Sequence, residues 1–230
     1  MPMFSVVILT AAPPGQAAEA GGAYVKVDGR EALLRSIELF LNRDNVKQIQ
    51  LAVLPDVLEE AKRKYGSHLS FSGVKILSAG PRWSDQIAAA AEKVSAEATH
   101  VLLHDAARPA VPYTDIDALM EEVEKSTAVA LATPARTTLV EIDEGGSPMA
   151  YHLADRFMQL LTPQAFARAK FVEMASSKRE IHPSQLKLLK GSPLNVRISG
   201  PGDAGLAKSM LNMMPKPKLR AANPFEEAQW

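Results

Sequence analysis

The sequence predicts an α/β domain organised on a mostly parallel, doubly wound sheet. Three observations carry that expectation. Short apolar runs of strand length alternate with segments of helical spacing from Phe4 to Ala132. Val101-Leu102-Leu103 is apolar without a polar break, as strands covered on both faces are. That run ends abruptly in His104, Asp105 and Arg108, and open parallel sheets bind ligands beyond the carboxyl ends of their strands.

The elements follow in order. Phe4 to Thr10 is a β-branched first strand. Ala11 to Gly22 is a loop of small residues, and Glu31 to Asn42 carries Leu33, Leu34, Ile37, Phe40 and Leu41 at helical spacing. Ile49 to Leu54 reads as a second strand. Pro55 opens a helix to about Tyr65, with Gly66 as its stop. Val74 to Leu77 is a third strand, and Ser78 to Arg82 is a loop on the same carboxyl edge. Asp85 to about Ala96 is an alanine-rich helix. After the central strand, Thr114-Asp115-Ile116-Asp117 matches a capping box for a helix to Lys125. Ala128 to Ala132 is a further strand.

The alternation then breaks. Thr137 to Ile142 and Pro148 to His152 flank Glu144-Gly145-Gly146, which predicts a projecting hairpin. Such a hairpin has edges to satisfy, so pairing with a second subunit is expected. Phe157 to Leu161 returns to the sheet, and Thr162-Pro163-Gln164 places proline in a first helical turn. Leu186 to Leu189 and Asn195 to Ser199 are late strand candidates. Pro201 to Met213 is a final helix, and the proline-containing stretch Pro215 to Trp230 is expected to be extended.

Composition bounds the function. The 230 residues are 47% apolar, and 26 basic residues balance 26 acidic ones. No global field draws such a chain to nucleic acid or an anionic membrane. There is no cysteine, which excludes disulfide, thiolate and zinc-thiolate chemistry. No apolar run reaches transmembrane length, and Met1 to Ala12 lacks a basic leader. A soluble cytoplasmic protein is the expectation.

The chemistry concentrates at His104 to Pro109. A carboxylate just past a buried strand is placed to hold a metal ion, and an arginine three residues on is placed to meet an anion. A helix-capping aspartate beside a solvated arginine has the same local pattern, so both readings stay open here. A small-residue loop after a first strand can cradle phosphate through bare N–H groups. Pro13 and Pro14 remove two such donors, and no basic residue lies between Thr10 and Tyr24. A plain connection fits that loop better. His68, His100, His152 and His182 show no metal-ligand spacing. Trp83 is placed to stack on a ring or to pack. Arg35, Arg43 and Lys47 read as solvated charges.

With these residues in view, the chain resembles the 2-C-methyl-D-erythritol 4-phosphate cytidylyltransferase family of non-mevalonate isoprenoid biosynthesis. His104-Asp105-Ala106-Ala107-Arg108-Pro109 matches the family's HDAARP run without a change. Leu161-Thr162-Pro163-Gln164 matches its LTPQ. Gly191 to Ser199 resembles its GSPENIKIT, with Pro201 and Asp203 fitting the PED that follows. The resemblance covers about residues 4 to 211. It implies a Rossmann-like nucleotidyltransferase domain over residues 1–214. Residues 135–155 would be a hairpin dimerisation arm, and residues 215–230 an extended tail.

It also implies roles. The family's substrate phosphate attacks the α-phosphate of CTP, and pyrophosphate leaves. Positioning, a divalent cation and positive charge on the pentavalent transition state serve that step. Asp105 would be the catalytic, metal-binding carboxylate for Mg²⁺. Arg197 would stand where the family has a lysine that reaches the transferred phosphate. Arg108, Thr138, Arg156 and Thr162 would meet the sugar- or alditol-phosphate. Thr138 and Arg156 would do so across a homodimer. Ala11, Ala12, Gly15, Gly80 and Ala106 would line the nucleotide.

Departures from the pattern matter as much. The family's first loop reads AAGxGxRM and then PKQ, whereas this chain has Ala11 to Ala18 and then Gly21-Gly22-Ala23, so the arginine and lysine for the triphosphate are gone. The family's serine for cytosine is replaced by Asp85 or Gln86. Its TDEAS survives at best as Val172 to Ser176, after a deletion of roughly a dozen residues. Two expectations follow. One is a divergent nucleotidyltransferase of weakened or redirected activity, in which Gln16→Arg and Gly22→Lys should restore nucleotide affinity. The other is a non-catalytic relative that keeps the dimeric scaffold to bind a ligand or partner.

Overall fold

The computed structural model describes residues 2–15 and 21–215. Eleven strands occur among them: β1 (Phe4–Leu9), β2 (Lys26–Val27), β3 (Arg30–Glu31), β4 (Val46–Val53), β5 (Val74–Ser78), β6 (His100–Asp105), β7 (Ala128–Pro134), β8 (Leu139–Ile142), β9 (Pro148–His152), β10 (Met158–Ala167) and β11 (Lys187–Lys190). Six helices accompany them: α1 (Ala32–Glu38), α2 (Leu58–Phe71), α3 (Trp83–Ala91), α4 (Tyr113–Glu122), α5 (Arg168–Ser177) and α6 (Ala204–Met213). Seven strands form one sheet in the order β11-β7-β10-β6-β1-β4-β5. Only β10 in this sheet runs antiparallel to its neighbours, β6 and β7. The sheet is mixed but mostly parallel, as the alternation of apolar runs predicted. Among the described residues, no helix is long and apolar enough to cross a membrane.

Burial explains the unbroken apolar runs. Phe4, Val6 and Ile8 of β1 pack with residues of α1, α2 and α4 on one side. Val7 and Leu9 pack with α3 and α5 on the other. Both faces of β1 are therefore covered, and its side chains are apolar apart from Ser5, whose buried hydroxyl donates to Gln48 Oε1 at 2.8 Å. A third, smaller cluster joins Val27, Ala32, Ala107, Ile198 and Ala207, and it seats α6 near the end of β6. The carboxyl ends of β1, β6 and β4 thus share one edge, where the loops gather.

The hairpin forms as expected. β8 and β9 pair antiparallel, with Val140 opposite Tyr151. The strands make no part of the main sheet, and they expose Val140, Ile142, Met149 and Tyr151.

Several local expectations are corrected. α2 does not stop at Gly66 but continues to Phe71, because Ala61, Tyr65 and Leu69 recur every four residues on its buried face. Burying Leu69 is worth about 1.5–3 kcal/mol, more than the roughly 0.5–1 kcal/mol a mid-helix glycine costs. The chain turns instead at Gly73, whose φ of +73° suits glycine. The capping box is not made: α4 is entered through Pro112 without a side-chain cap. Asp115 instead accepts a hydrogen bond from the Ser192 amide at 2.7 Å.

Thr162-Pro163-Gln164 is strand, not helix. The pairing of β10 with β7 shifts between Leu160 and Gln164, and Pro163 falls in that irregularity, where proline is tolerated. Asn195 to Ser199 is not a strand: its amides donate to Ser192 O, Leu194 O and Asp203 Oδ2 nearby, and Ile198 donates to Ala107 O in the turn after β6. α1 and α3 end earlier than their periodicity suggested, at Glu38 and Ala91. Arg35 and Arg43 are anchored rather than simply solvated. Arg35 donates to the Val27 carbonyl, and Arg43 pairs with Asp117. Gln16 and the tail from residue 216 onward lie outside the described residues.

The packing gives a direct test. Leu102 of β6 is 0% exposed whereas Phe71 is 95% exposed. Leu102→Ala should cost about 2–5 kcal/mol in urea denaturation, and Phe71→Ser should stay within about 0.5 kcal/mol. Equal costs at the two positions would contradict this assignment of the core.

Candidate functional site

The site grows from the last residue of β6. Asp105 is 0% exposed, so its carboxylate must be compensated by protein groups. Oδ1 accepts from the Ala107 amide at 2.9 Å, and Oδ2 accepts from Arg197 Nε at 2.8 Å. Arg108 Nε lies 3.8 Å from Oδ2. Burial pushes the Asp105 carboxyl above its usual range, and Arg197, the Ala107 amide and Arg108 pull it back. The turn that follows is fixed by main-chain bonds. Ala106 donates to Leu9 O at 2.8 Å, Arg108 to Asp105 O at 3.0 Å, and Ile198 to Ala107 O at 2.8 Å.

A second layer of hydrogen bonds lies beneath. His104 Nε2 is 3.1 Å from Arg108 O, and a carbonyl only accepts, so Nε2 carries the proton. Nδ1 then accepts from the Thr162 hydroxyl at 3.1 Å. The same hydroxyl accepts from the Asp105 amide at 3.0 Å. Asn195 Nδ2 donates to Thr162 O at 2.7 Å, and Arg108 donates to Asn195 O at 2.8 Å. β6, β10 and residues 195–198 are thereby tied together around one carboxylate.

A cavity of about 610 Å³ opens beside this turn. Its lining includes Arg108, Arg136, Arg197, Thr133, Ser192 and Asn195. Arg108 is 6% exposed, and its Nε has no hydrogen-bond partner. That atom is itself buried and lies 3.8 Å from Asp105 Oδ2. What this arrangement can do is hold an anion.

The side toward the first loop is differently disposed. The Thr10 and Ala11 amides both donate to Gln86 Oε1, at 2.9 and 3.1 Å. Gly80 lies against Asp85, and a Cβ there would meet Asp85 Oδ2 at 2.9 Å. Asp85 is itself held by Arg82 through two bonds of 2.9 Å. A Cβ on Gly22 would stand 2.0 Å from Ile198 O. This corrects the expectation for Gly22→Lys, because no side chain fits at position 22 while the 195–198 segment keeps its place.

The expected residues therefore divide. Asp105, Arg108 and Arg197 come together. Ala106 sits in the same turn, and its amide is bound by Leu9. Thr162 is 3% exposed and supports Asp105 from below. Ala11, Ala12 and Gly80 lie on the loop side, and Gly15 is exposed with φ +74°. Thr138 and Arg156 are exposed on the arm and its root and do not line the cavity. Trp83 is 5% exposed, packs in the core of the α3 and α5 face, and borders a second cavity of about 410 Å³.

One residue was missed, and Gln86, weighed only as a replacement for the family's serine, has another place: it is 0% exposed and accepts from the Thr10 and Ala11 amides. Arg136 stands just before the arm, beyond a strand end, which is the one clue the sequence offered. Asp105 is the carboxylate a divalent cation would meet at this turn, and each of its oxygens accepts one hydrogen bond, so a lone pair stays on both. Its side chain is 1% exposed, and no group of three His, Asp or Glu side chains clusters among the described residues.

Comparison with known proteins gives a consistent result. The model of the family described as 2-C-methyl-D-erythritol 4-phosphate cytidylyltransferase matches residues 5–213. The chain is 30% identical over 234 residues to the protein of that name from Rhodopirellula baltica, covering 90% of this chain and 94% of that protein. It is 27% identical to the one from Acidobacterium capsulatum, covering 87% and 94%. The crystal structure of that enzyme from Thermus thermophilus aligns with a TM-score of 0.71 at 24% identity, over 90% of this chain and 98% of that one. The 4-diphosphocytidyl-2C-methyl-D-erythritol synthase of Anaerococcus prevotii aligns with a TM-score of 0.73 at 18% identity, over 92% and 96%. These two structures speak for the fold alone.

The buried imidazole sets a pH dependence. Burial, and next the Arg108 charge, lower His104 from 6.5 to about 3. The folded state holds it neutral, so its contribution is complete above the unfolded value and is lost as pH falls toward 3. Between pH 6.5 and 4.5 the loss should approach roughly 2–3 kcal/mol. His104→Gln should flatten the stability–pH slope by about one proton. Parallel slopes for the two proteins in urea melts would show that His104 titrates normally.

Proposed function

The chain belongs to the 2-C-methyl-D-erythritol 4-phosphate cytidylyltransferase family, and on that premise we propose that it is a divergent nucleotidyltransferase. Its phosphomonoester half is retained and its nucleotide half is weakened. In the proposed reaction an acceptor phosphate oxygen attacks the α-phosphorus of CTP. The bond from that phosphorus to the bridging oxygen breaks, and pyrophosphate leaves. The cavity beside Asp105 supplies positive charge for the acceptor and for the pentavalent transition state. Arg108 meets the acceptor phosphate, Arg197 faces the transferred phosphate, and Asp105 and Thr162 act by holding these groups in place. Arg197 keeps the charge of a lysine but presents a planar fork. If a divalent cation binds with the nucleotide, Asp105 is the residue that would hold it, and the cation would supply positive charge for the phosphates.

The observation that carries the weakened nucleotide half is the 2.0 Å approach of Ile198 O to a Gly22 Cβ. A lysine there is not only missing but excluded. Gln86 also occupies the amides of Thr10 and Ala11. The same observation favours the second reading, a non-catalytic relative that binds the phosphomonoester alone.

We also propose a homodimer through the arm. Tyr151 is 80% exposed, Met149 66%, Leu153 64% and Ile142 60%. Apolar groups of that size on a projecting hairpin call for a partner surface, and a second copy would bring Thr138 and Arg156 to a neighbouring site.

Two measurements test this. With CTP, methylerythritol phosphate and Mg²⁺, pyrophosphate release should fall about 10⁴-fold or more below a typical turnover of roughly 10 s⁻¹. Turnover within tenfold of that value would overturn the weakened nucleotide half. Complete absence of release with intact phosphomonoester binding would select the non-catalytic relative. Light scattering should show a dimer at micromolar concentration that Ile142→Glu with Tyr151→Glu splits; a monomeric unmodified protein would refute the arm interface.

A further inference from the structure

Three arginines line the same cavity, and only two of them have been given work. Arg108 and Arg197 belong to the constellation around Asp105. Arg136 does not. It stands two residues past the end of β7, at the root of the arm, exposed and on the cavity lining. Its main chain is pinned, because the preceding Ala135 amide donates to Phe157 O at 3.0 Å. Among the described residues, no acidic side chain lines this cavity with it. Two carboxylates stand behind the lining: Asp105 is satisfied by Arg197 and the Ala107 amide, and Asp115 accepts from the Ser192 amide at 2.7 Å.

Charge then points to an anion. Three guanidinium groups on the lining, set against these two compensated carboxylates, leave the cavity with a positive surplus. A phosphomonoester carries about two negative charges near neutral pH. Arg108 is 6% exposed on the same lining, with its Nε 3.8 Å from Asp105 Oδ2. Ser192 and Asn195 line the same wall.

We propose that Arg136 is a ligand of the acceptor phosphomonoester, joining Arg108 and Arg197 on the lining of the anion site. The assignment rests on the cavity being the acceptor site, as proposed above. It adds a residue that the arm presents to its own subunit, whereas Thr138 and Arg156 point to service in the neighbouring one. The arm is thereby coupled to the phosphate on both sides of a dimer. Arg136 gives this chain a cation close to the acceptor, and it does not restore the charge missing around the triphosphate.

Isothermal titration with erythritol 4-phosphate, without nucleotide, tests the assignment. The unmodified protein should bind it saturably. Arg136→Ala should weaken binding about tenfold or more, as expected for a lost charge-assisted bond. Arg136→Lys should fall between the two, because charge remains and the fork is lost. Arg63→Ala, on the exposed face of α2, should leave binding unchanged, and all variants should melt at the temperature of the parent. Unchanged affinity in Arg136→Ala, with the parent binding normally, would overturn the role of Arg136 and leave the acceptor site standing. Failure of the parent to bind at 10 mM, a concentration on the order of weak millimolar affinities, would overturn both. Equal weakening by Arg63→Ala would reduce the effect to net charge and overturn the assignment as well.

Discussion

A carboxylate sealed from water at the end of the central strand constrains everything around it. Asp105 is buried with a side chain 1% exposed, and a buried charge left alone costs several kcal/mol. The protein compensates it with one amide from its own turn and one guanidinium from a segment ninety-two residues away. Breaking such a pair from one side costs about 3–5 kcal/mol, although forming it from water gains little. Its value is positional. Residues 191–200 contain no helix or strand, yet they are held by Arg197 on Asp105, Ile198 on Ala107 and Asn195 on Thr162. A loop without secondary structure becomes a fixed wall of the cavity.

The same constraint reaches the antiparallel strand. Thr162 stands in β10 where its hydroxyl accepts the Asp105 amide and donates to His104. The imidazole then fixes the Arg108 carbonyl. Neutral His104, packed 5.3 Å from the Phe40 ring centroid, makes both bonds only in one tautomer. Arg108 thus has its main chain set by His104 and its side chain by Asn195.

How much of this was legible in the sequence depends on the range of the interaction. The sheet was legible because both of its faces are covered, so β1, β4 and β6 read as apolar runs. The hairpin was legible from Glu144-Gly145-Gly146 and its flanks. Asp105 and Arg108 were legible because they lie within four residues of one another after a strand, and Arg197 through its motif. What failed was decided by distant partners. Pro163 reads as a helix start until β7 and β6 claim its strand. Asp115 reads as a cap until Ser192 takes its carboxylate. Asn195 to Ser199 reads as a strand, but its amides go to Ser192 O, Leu194 O, Ala107 O and Asp203 Oδ2 instead of a neighbouring ladder. Gln86 was legible only as a substitute for a serine and Arg136 only as a residue beyond a strand end, since one is defined by two amides of the loop after β1 and the other by a cavity wall.

The glycine at position 22 shows how charge and shape are linked in this fold. In the sequence it reads as a missing lysine, which is a statement about charge alone. In the structure the absent side chain lets a main chain close in, with Ile198 O at 2.0 Å from the place a Cβ would take. The Ile198 amide is simultaneously bound to Ala107 O at 2.8 Å, and its side chain is fully buried with Val27, Ala32, Ala107 and Ala207. Moving Ile198 aside to admit a side chain would expose that cluster and pull the adjacent Arg197 from Asp105. That in turn would leave the buried carboxylate uncompensated. The segment that keeps Arg197 in place is therefore the segment that keeps position 22 closed, and a single substitution cannot reverse one without disturbing the other.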